Sequence, residues 1–309
     1  MVKNEFLPFG TAANANVLPN ADYQMLPARS AGFVSGVAKS EQLNKVWRQS
    51  SVMTSAMAQY IADSTGNDVL DNGDMAALND GLSSALSGRL IGVKVFTTSQ
   101  TYTPTIGTKK IIVEMVGGGG GGGSVIAGTA SGSQVAAGAG AGGEGGAYGM
   151  AVIDPVFSSA AITVGKAGTS STTAPTDGGI TSISISGSVV LSVSGGATGA
   201  TMTGPFNYPA TLGGRRVTGN TFFGSFLYKI EGKPGALGTI FSGDSAAGGE
   251  GGGSYLSNGS PQGLINNDLA KSSYNPTGYG CGGTGACATT RSQVGGDASA
   301  GIVIIKEYA

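Results

Sequence analysis

The sequence predicts a mixed architecture: an irregular N-terminal arm over residues 1–39, short α-helices over 40–90, and an all-β, glycine-rich C-terminal domain over 91–309. Three observations predict it. Prolines at 8, 19 and 27 break up the start of the chain. Apolar residues then recur at helical spacing as far as Leu86, and alternate with a period of two from residue 91. The chain holds 57 glycines, and only seven precede residue 91, so its two parts are built differently. A length of 309 residues suits about two domains.

The arm carries Phe6, Leu7, Phe9, Val17, Leu18, Tyr23, Met25 and Leu26 between its prolines. Such a segment has no core of its own. Two arrangements fit: it lies on another surface, or it packs back on its own helices.

Residues 41–63 read as a helix, with Ser40 as N-cap and Gly66 closing it. Leu43, Val46, Trp47, Met53, Met57, Tyr60 and Ile61 form one apolar stripe at spacings of three and four. A second helix runs from about Asp74, its cap, to Leu86, with Met75, Leu78, Leu82 and Leu86 on one face. Self-association, for example as a trimeric collar, would bury these stripes, and so would an intramolecular helical hairpin.

Beyond residue 91, VKVFTTSQTYTP and KKIIVEMVG read as strands around a turn at Pro104 to Gly107. Further strands are expected at Tyr148–Ile153, Ala161–Val164, Ile180–Ser186, Val189–Ser194 and Gly301–Glu307, the last closing against IIVEM. Between them lie glycine-rich stretches, including seven consecutive glycines from Gly117 to Gly123 and the segment GGEGG at Gly142–Gly146 and again at Gly248–Gly252. Each GGEGG is followed by a tyrosine, Tyr148 or Tyr255. There is no Gly-X-Y period, which excludes collagen. Two conformations suit the runs: loops, or three-per-turn helices that pack closely through their backbones.

Composition narrows the function. Charged residues make up 11% of the chain, against roughly a quarter in ordinary domains, and 17 basic residues balance 18 acidic ones. No basic surplus points to nucleic acid, and no apolar stretch is long enough for membrane insertion. MVKNEFLPFG does not read as a signal peptide, so synthesis in a cytoplasm is expected. The absence of histidine removes Ser-His-Asp and Cys-His chemistry and the commonest metal ligand. Asp68, Asp71 and Asp74 miss the calcium-loop spacing and read as a turn and a cap. The glycine runs lack the Lys-Ser/Thr ending of a P-loop. No cofactor or metal is implied. A carboxylate-pair glycosidase would draw on Glu144, Asp154, Asp177, Asp244 and Glu250, but these mostly sit beside glycine as turn residues do, and the chain reads as a non-enzyme. Cys281 and Cys287, six residues apart, read as free or adventitiously paired thiols, with a local disulfide as the alternative.

Two inserts break the glycine-rich pattern. Residues 201–241 bring Phe206, Tyr208, Arg215, Arg216, Phe222, Phe223, Phe226, Tyr228 and Phe241. Residues 254–279 bring Tyr255, Asn258, Asn266, Asn267, Tyr274, Asn275 and Tyr279. Loops rich in Tyr, Asn, Ser and Gly suit an adaptable binding surface, because rigid rings combine with flexible hydrogen bonding. Phe222, Phe223 and Phe226 are expected in a local core. Tyr208, Arg215, Arg216, Tyr255, Asn258, Tyr274, Asn275 and Tyr279 are the candidate binding residues.

The segments FLPFGTAANANVLPNADYQMLPARSAGFVSGVAKSEQLNKVWRQSS and AQYIADSTGNDVLDNGD resemble the N-terminal region of bacteriophage tail fibre proteins. KVFTTSQTYTPTIGTKKIIVEMVGGGGGGG, with the terminal GIVIIKEYA, resembles the glycine-rich C-terminal domain of such fibres. The resemblance implies a virion location in the tail, a homotrimer, attachment to a baseplate or tail-tip protein, and binding of a host-surface glycan or outer-membrane protein at the distal end. Residues 1–39 are then the attachment arm, 40–90 the oligomerisation and attachment region, and 91–309 the receptor-binding domain. Phe6, Leu7, Phe9, Leu43, Val46, Trp47, Met53 and Met57 are the candidates for tail attachment or oligomerisation. The rival structural reading is a tail or baseplate scaffold that touches no receptor.

Overall fold

The computed structural model describes residues 2–128, 134–135, 137–155, 157–207, 210–212, 220–266, 274–289 and 291–309. The chain divides into two compact units, Met1–Arg89 and Leu90–Ala309.

In the first unit, two short helices fit between the prolines, α1 (Asn20–Met25) and α2 (Ala28–Ala31), with Pro19 and Pro27 at their N-caps. The main elements are α3 (Ser40–Thr65) and α4 (Met75–Leu86), which form a hairpin. Gly66 ends α3 in the left-handed region at φ 73°, and the Asp74 carboxylate accepts from the N–H of Ala77 at 3.0 Å to start α4. The Ser40 cap is corrected. Lys39 holds that position, and the Ser40 hydroxyl instead accepts the Asn16 amide at 3.0 Å.

The hairpin core is Ala58, Ile61 and Ala62 against Ala85, with Val69, Leu78 and Leu82. Small residues dominate because the helices approach closely: a Cβ on Gly81 would come within 3.0 Å of Ile61. Of the two arrangements open for the arm, the structure takes the second. The N–H of Glu5 donates to the Val69 carbonyl and that of Val69 to the Lys3 carbonyl, and the N–H groups of Phe9 and Leu18 reach Ser51 Oγ and the Glu41 carbonyl.

The second unit begins as a sandwich of two antiparallel five-stranded sheets. The first runs Leu90–Phe96, Ile302–Tyr308, Lys110–Val116, Tyr148–Ile153 and Tyr228–Ile230 in spatial order. The second runs Phe222–Phe223, Ser188–Val193, Thr181–Ile185, Ala160–Thr163 and Gln100–Tyr102. Alternate residues of both face inward, so that Ile111, Val113, Met115, Val303 and Ile305 meet Ile162, Ile183, Leu191 and Val193. The terminal strand pairs with Lys110–Val116 as expected, from Ile302↔Val116 to Tyr308↔Lys110. The turn before Lys110 does not make a hairpin, however. It carries the chain from one sheet to the other, and the terminal strand lies between Leu90–Phe96 and Lys110–Val116.

That free edge is guarded. Leu90–Phe96 has a bulge between Leu90 and Gly92, and Lys94 turns inward to Glu307 at 3.2 Å. Glu307 is fully buried and also accepts from the Tyr102 hydroxyl and from the N–H and hydroxyl of Thr105. Burial alone would raise this carboxyl. The hydrogen bonds outweigh it and hold Glu307 below the usual carboxylate range, while burial and the carboxylate raise the Tyr102 phenol.

Beyond the sandwich the strands do not stop at loops. Lys110–Val116 runs directly into Gly117–Gly123, and the segment at 140–147 leads into Tyr148–Ile153. These segments are rods of a hydrogen-bonded lattice. The N–H groups of Gly117, Gly120 and Gly123 donate to Ala147, Glu144 and Ala141. Those of Gly118 and Gly121 donate to Gly179 and Thr176, and those of Gly119 and Gly122 to Ser299 and Gly296. Every third residue therefore addresses the same neighbour, as a helix with three residues per turn requires.

The carbonyls show the same period. Gly118 and Gly121 accept from Gly196 and Gly199, Gly120 and Gly123 from Gly283 and Ala286, and Gly119 and Gly122 from Gly168 and the Ser170 hydroxyl. Gly117–Gly123 is thus surrounded by six chain segments, and every backbone group along Gly118–Gly123 is bonded in a dry interior. The open choice for the glycine runs resolves as packed three-per-turn helices.

Glycine is required there by proximity. A Cβ on any residue from Gly117 to Gly123 would lie closer than 3.0 Å to a neighbouring backbone. The two GGEGG segments are adjacent rods, with Gly249 and Gly252 donating to the carbonyls of Gly140 and Gly143.

Candidate binding surface at the far end of the glycine lattice

The lattice has two ends. At one, Gly117, Ala147, Ser194 and Gly301 adjoin the sandwich strands. At the other, the rods open into short strands that form a separate small core of Val125, Ala139, Ile240, Ala246, Cys287 and Ala288. Val125–Ile126 pairs in parallel with Met202–Thr203 and bridges to Gln293. Gly138–Ala139 pairs with Cys287–Ala288. Ala210–Leu212, Gly238–Ser242, Ser245–Ala247 and Leu264–Asn266 make a four-stranded sheet. The turn between its middle strands is tied by a 2.6 Å bond from the Ser242 hydroxyl to Asp244. The Ser292 hydroxyl accepts from the N–H of Ala127 at 3.0 Å, fixing a second loop.

The strands that carry them continue from rods whose backbones are bonded on several sides. Leu237, Phe241, Leu264 and Val294 are exposed here, 42–54% each, beside the exposed Asp244 and Arg291. The described exposed residues of these segments are thus of mixed character, with Thr203, Gln262 and Ser292 also exposed. Of these residues, sequence reading had singled out only Phe241 among the aromatics. Leu237, Leu264 and Val294 carry no motif, and their importance depends on a lattice that brings distant segments to one end.

The sequence-derived candidates are distributed otherwise. Tyr208, Arg215 and Arg216 lie outside the described residues. Tyr255, Asn258 and Tyr279 sit at the sandwich end, where Ser254 Oγ donates to the Tyr279 carbonyl at 2.6 Å. Tyr255 is 57% exposed and stacks on buried Tyr148, ring centroids 4.2 Å apart. Tyr148 in turn donates to Glu114 at 3.2 Å, and burial followed by the Glu114 charge raises its phenol. Tyr274 is half-buried on the lattice flank, its carbonyl near Thr284 N–H, and Asn275 accepts from the N–H of Asp297 at 3.0 Å. Phe222 and Phe226 pack on the sandwich core as expected of core residues. Phe223 does not: it is 58% exposed on the edge strand.

A family model described as a glycine-rich domain matches residues 95–308. The chain belongs to this glycine-rich domain family. The match covers nearly all of the second unit, sandwich and lattice together. No curated protein matches the chain.

Two carboxylates of this glycine-rich domain accept backbone N–H bonds. Glu144 is buried in a rod, and its carboxylate accepts from the N–H of Ala197 at 3.1 Å. Asp177 accepts from the N–H of Thr198 at 2.8 Å. Asp154, Asp244 and Glu250 are exposed.

In the helical unit, Asp68 accepts from the N–H of Lys3 at 2.7 Å, as Asp74 does from that of Ala77. Phe6 is partly buried and packs against the hairpin core. Leu43 is half-buried. Leu7, Phe9, Val46, Trp47, Met53 and Met57 are exposed, with Phe9 set edge-on to Trp47 at 5.9 Å. Among the described residues no helix is long and apolar enough to cross a membrane.

Proposed function

We propose that this chain is a bacteriophage tail fibre protein that acts as an adhesin. The helical unit attaches to a baseplate or tail-tip protein, the assembly is a homotrimer in the virion tail, and the far-end loops bind a receptor on the host surface. The observation that carries this reading is the lattice. It devotes dozens of residues to a side-chain-poor scaffold that carries the short strands and described turns at one end. Pre-organised loops bind without the entropy loss of ordering them. Three copies acting together would convert weak single contacts into firm attachment through effective concentration. The resemblance of both ends of the chain to tail fibres supports the same role. The chain performs no chemistry in this reading, and it needs no cofactor.

The test is adsorption of the purified full chain to a panel of bacterial strains, with Phe241→Asp and Leu264→Asp variants alongside. Saturable binding to particular strains, lost in the variants while thermal unfolding is unchanged, is the expected outcome. Treating the cells with protease or with periodate separates a protein receptor from a glycan. Failure of the folded protein to bind any strain whose phage carries this chain, or variants that bind like the parent, would overturn the receptor reading.

A further inference from the structure

The apolar stripe read along α3 is divided in two by the fold. Ala58, Ile61 and Ala62 turn into the hairpin. On a different face, Leu43, Val46, Met53, Met57 and Tyr60 recur at alternating spacings of three and four, with Ser50 and Ser64 completing the series. Val46, Met53, Met57 and Tyr60 are 38%, 64%, 48% and 50% exposed. This is a heptad seam of three repeats, roughly 32 Å long at about 1.5 Å per residue. At the seam's C-terminal end, Leu82 and Leu86 of α4 join Ala56, Met57 and Tyr60 around an apolar cleft of about 380 Å³.

We infer that this seam is where copies of the chain associate, as a parallel, in-register coiled coil of α3 helices. The 3-4 spacing fits another helix of the same period better than an irregular partner, since only a helix keeps contact with it over three repeats. Register follows from the serines. In a parallel arrangement Ser50 meets Ser50 and Ser64 meets Ser64. An antiparallel one centred on the same helix would set Ser50 against Met57 and Ser64 against Leu43. Polar residues at core positions select register in this way. Of the flanking positions, Gln42, Trp47, Gln49, Thr54, Ala56 and Ile61 are uncharged and Asp63 alone carries a charge, at the seam's C-terminal end, so identical helices meet with little like-charge repulsion. This deepens the oligomeric part of the proposed function by naming the surface, and it is tested separately from receptor binding.

The experiment is mass measurement of the full chain in solution by light scattering. The parent is expected at a multiple of its 30.3 kDa. A double variant, Met53→Asp with Met57→Asp, is expected at the single-chain mass with its helical circular dichroism retained. Val37→Asp, 99% exposed but outside the seam, is expected to keep the parent mass. A parent that runs as a single chain, or a double variant that keeps the parent mass, overturns the inference. Should the double variant misfold, Met53→Cys decides the matter. Mild oxidation is expected to link copies through Met53→Cys but not through Gln59→Cys on another face of α3. Equal linking at both positions, or none at Met53→Cys, overturns the parallel seam.

Discussion

The sandwich and the lattice belong to one compact unit and are equally dry, yet they are held together by opposite means. In the sandwich, backbones stay apart and side chains fill the gap, as Ile183 and Leu191 do against Val113 and Ile305. In the lattice, backbones touch, and what fills the gap is hydrogen bonds from rod to rod. The two differ in what a substitution meets. A sandwich core residue has neighbours that can relax in part, so losses are graded with volume. A lattice residue has carbonyls and peptide planes on several sides, each tied to the next rod. Glycine is entropically the costliest residue to order, by roughly 0.5–1 kcal/mol relative to alanine in regular structure. The lattice offsets this by leaving none of the backbone groups along Gly118–Gly123 unpaired.

The sharpest way to break the comparison is to add one methyl group to a rod. Gly120→Ala places a Cβ closer than 3.0 Å to the backbone of Ala197. The neighbour cannot yield without pulling on its own partners, so we expect a loss above about 4 kcal/mol, or no folded protein at all. Gly66, by contrast, has φ 73° and open space around its missing Cβ. Gly66→Ala should cost only about 1–2 kcal/mol through the left-handed backbone. Denaturant unfolding of both variants would test this, and similar losses would remove the distinction between glycines kept for proximity and glycines kept for conformation. In the sandwich, Ile183→Ala is expected to cost about 3 kcal/mol and leave the topology intact.

The contrast also explains which parts were legible in the sequence. Side chains write a period, so GIVIIKEY could be set against IIVEM, and Asp74 could be read as a cap. The order of strands in the first sheet was not legible. Insertion of the terminal strand between Leu90–Phe96 and Lys110–Val116 is a long-range pairing that local turn signals do not report. The lattice was even less so. Its repeat of three lies in which distant segment each N–H meets, not in which residue stands where. Glu144 and Ala197 therefore occupy rods alongside glycine without interrupting them. The repeated GGEGG was visible, but not that its copies lie side by side. For the binding surface, aromatic composition drew attention to Tyr255 and Tyr279, which belong to the sandwich end. The far-end residues Leu237, Leu264 and Val294 stand in unremarkable sequence and come together only through the rods.

A smaller effect concerns pH. Glu307 anchors the sandwich through Tyr102, Thr105 and Lys94, and its pKa is lowered from 4.5. A group held below its unfolded value contributes fully above that value and loses its contribution as pH falls through the folded one. Stability should therefore fall from about pH 4.5 downward. Glu307→Gln should cost about 2 kcal/mol at neutral pH, since the bonds lost are to a charged acceptor, and it should flatten the acid decline. A variant with the parent's pH profile would show that other carboxylates carry the acid sensitivity. Gly117–Gly123 has no ionisable group to add to it.

The mildest test uses the two cysteines, and its expected result is no change. Cys281 and Cys287 lie on one rod whose residues 280, 283 and 286 meet Gly146, Gly143 and Gly140 in turn. Six residues at about 3.1 Å each set them roughly 19 Å apart. A disulfide needs Cα atoms no more than about 7 Å apart. Neither is in a disulfide and both are buried, and burial raises the Cys287 thiol, which keeps the reactive thiolate scarce. Native protein treated with oxidant should therefore keep its unfolding midpoint, and alkylation after denaturation should count two thiols per chain. An internal disulfide formed without loss of structure would require the segment to fold back on itself. It would replace the rods with loops and erase the difference between the two halves of this unit.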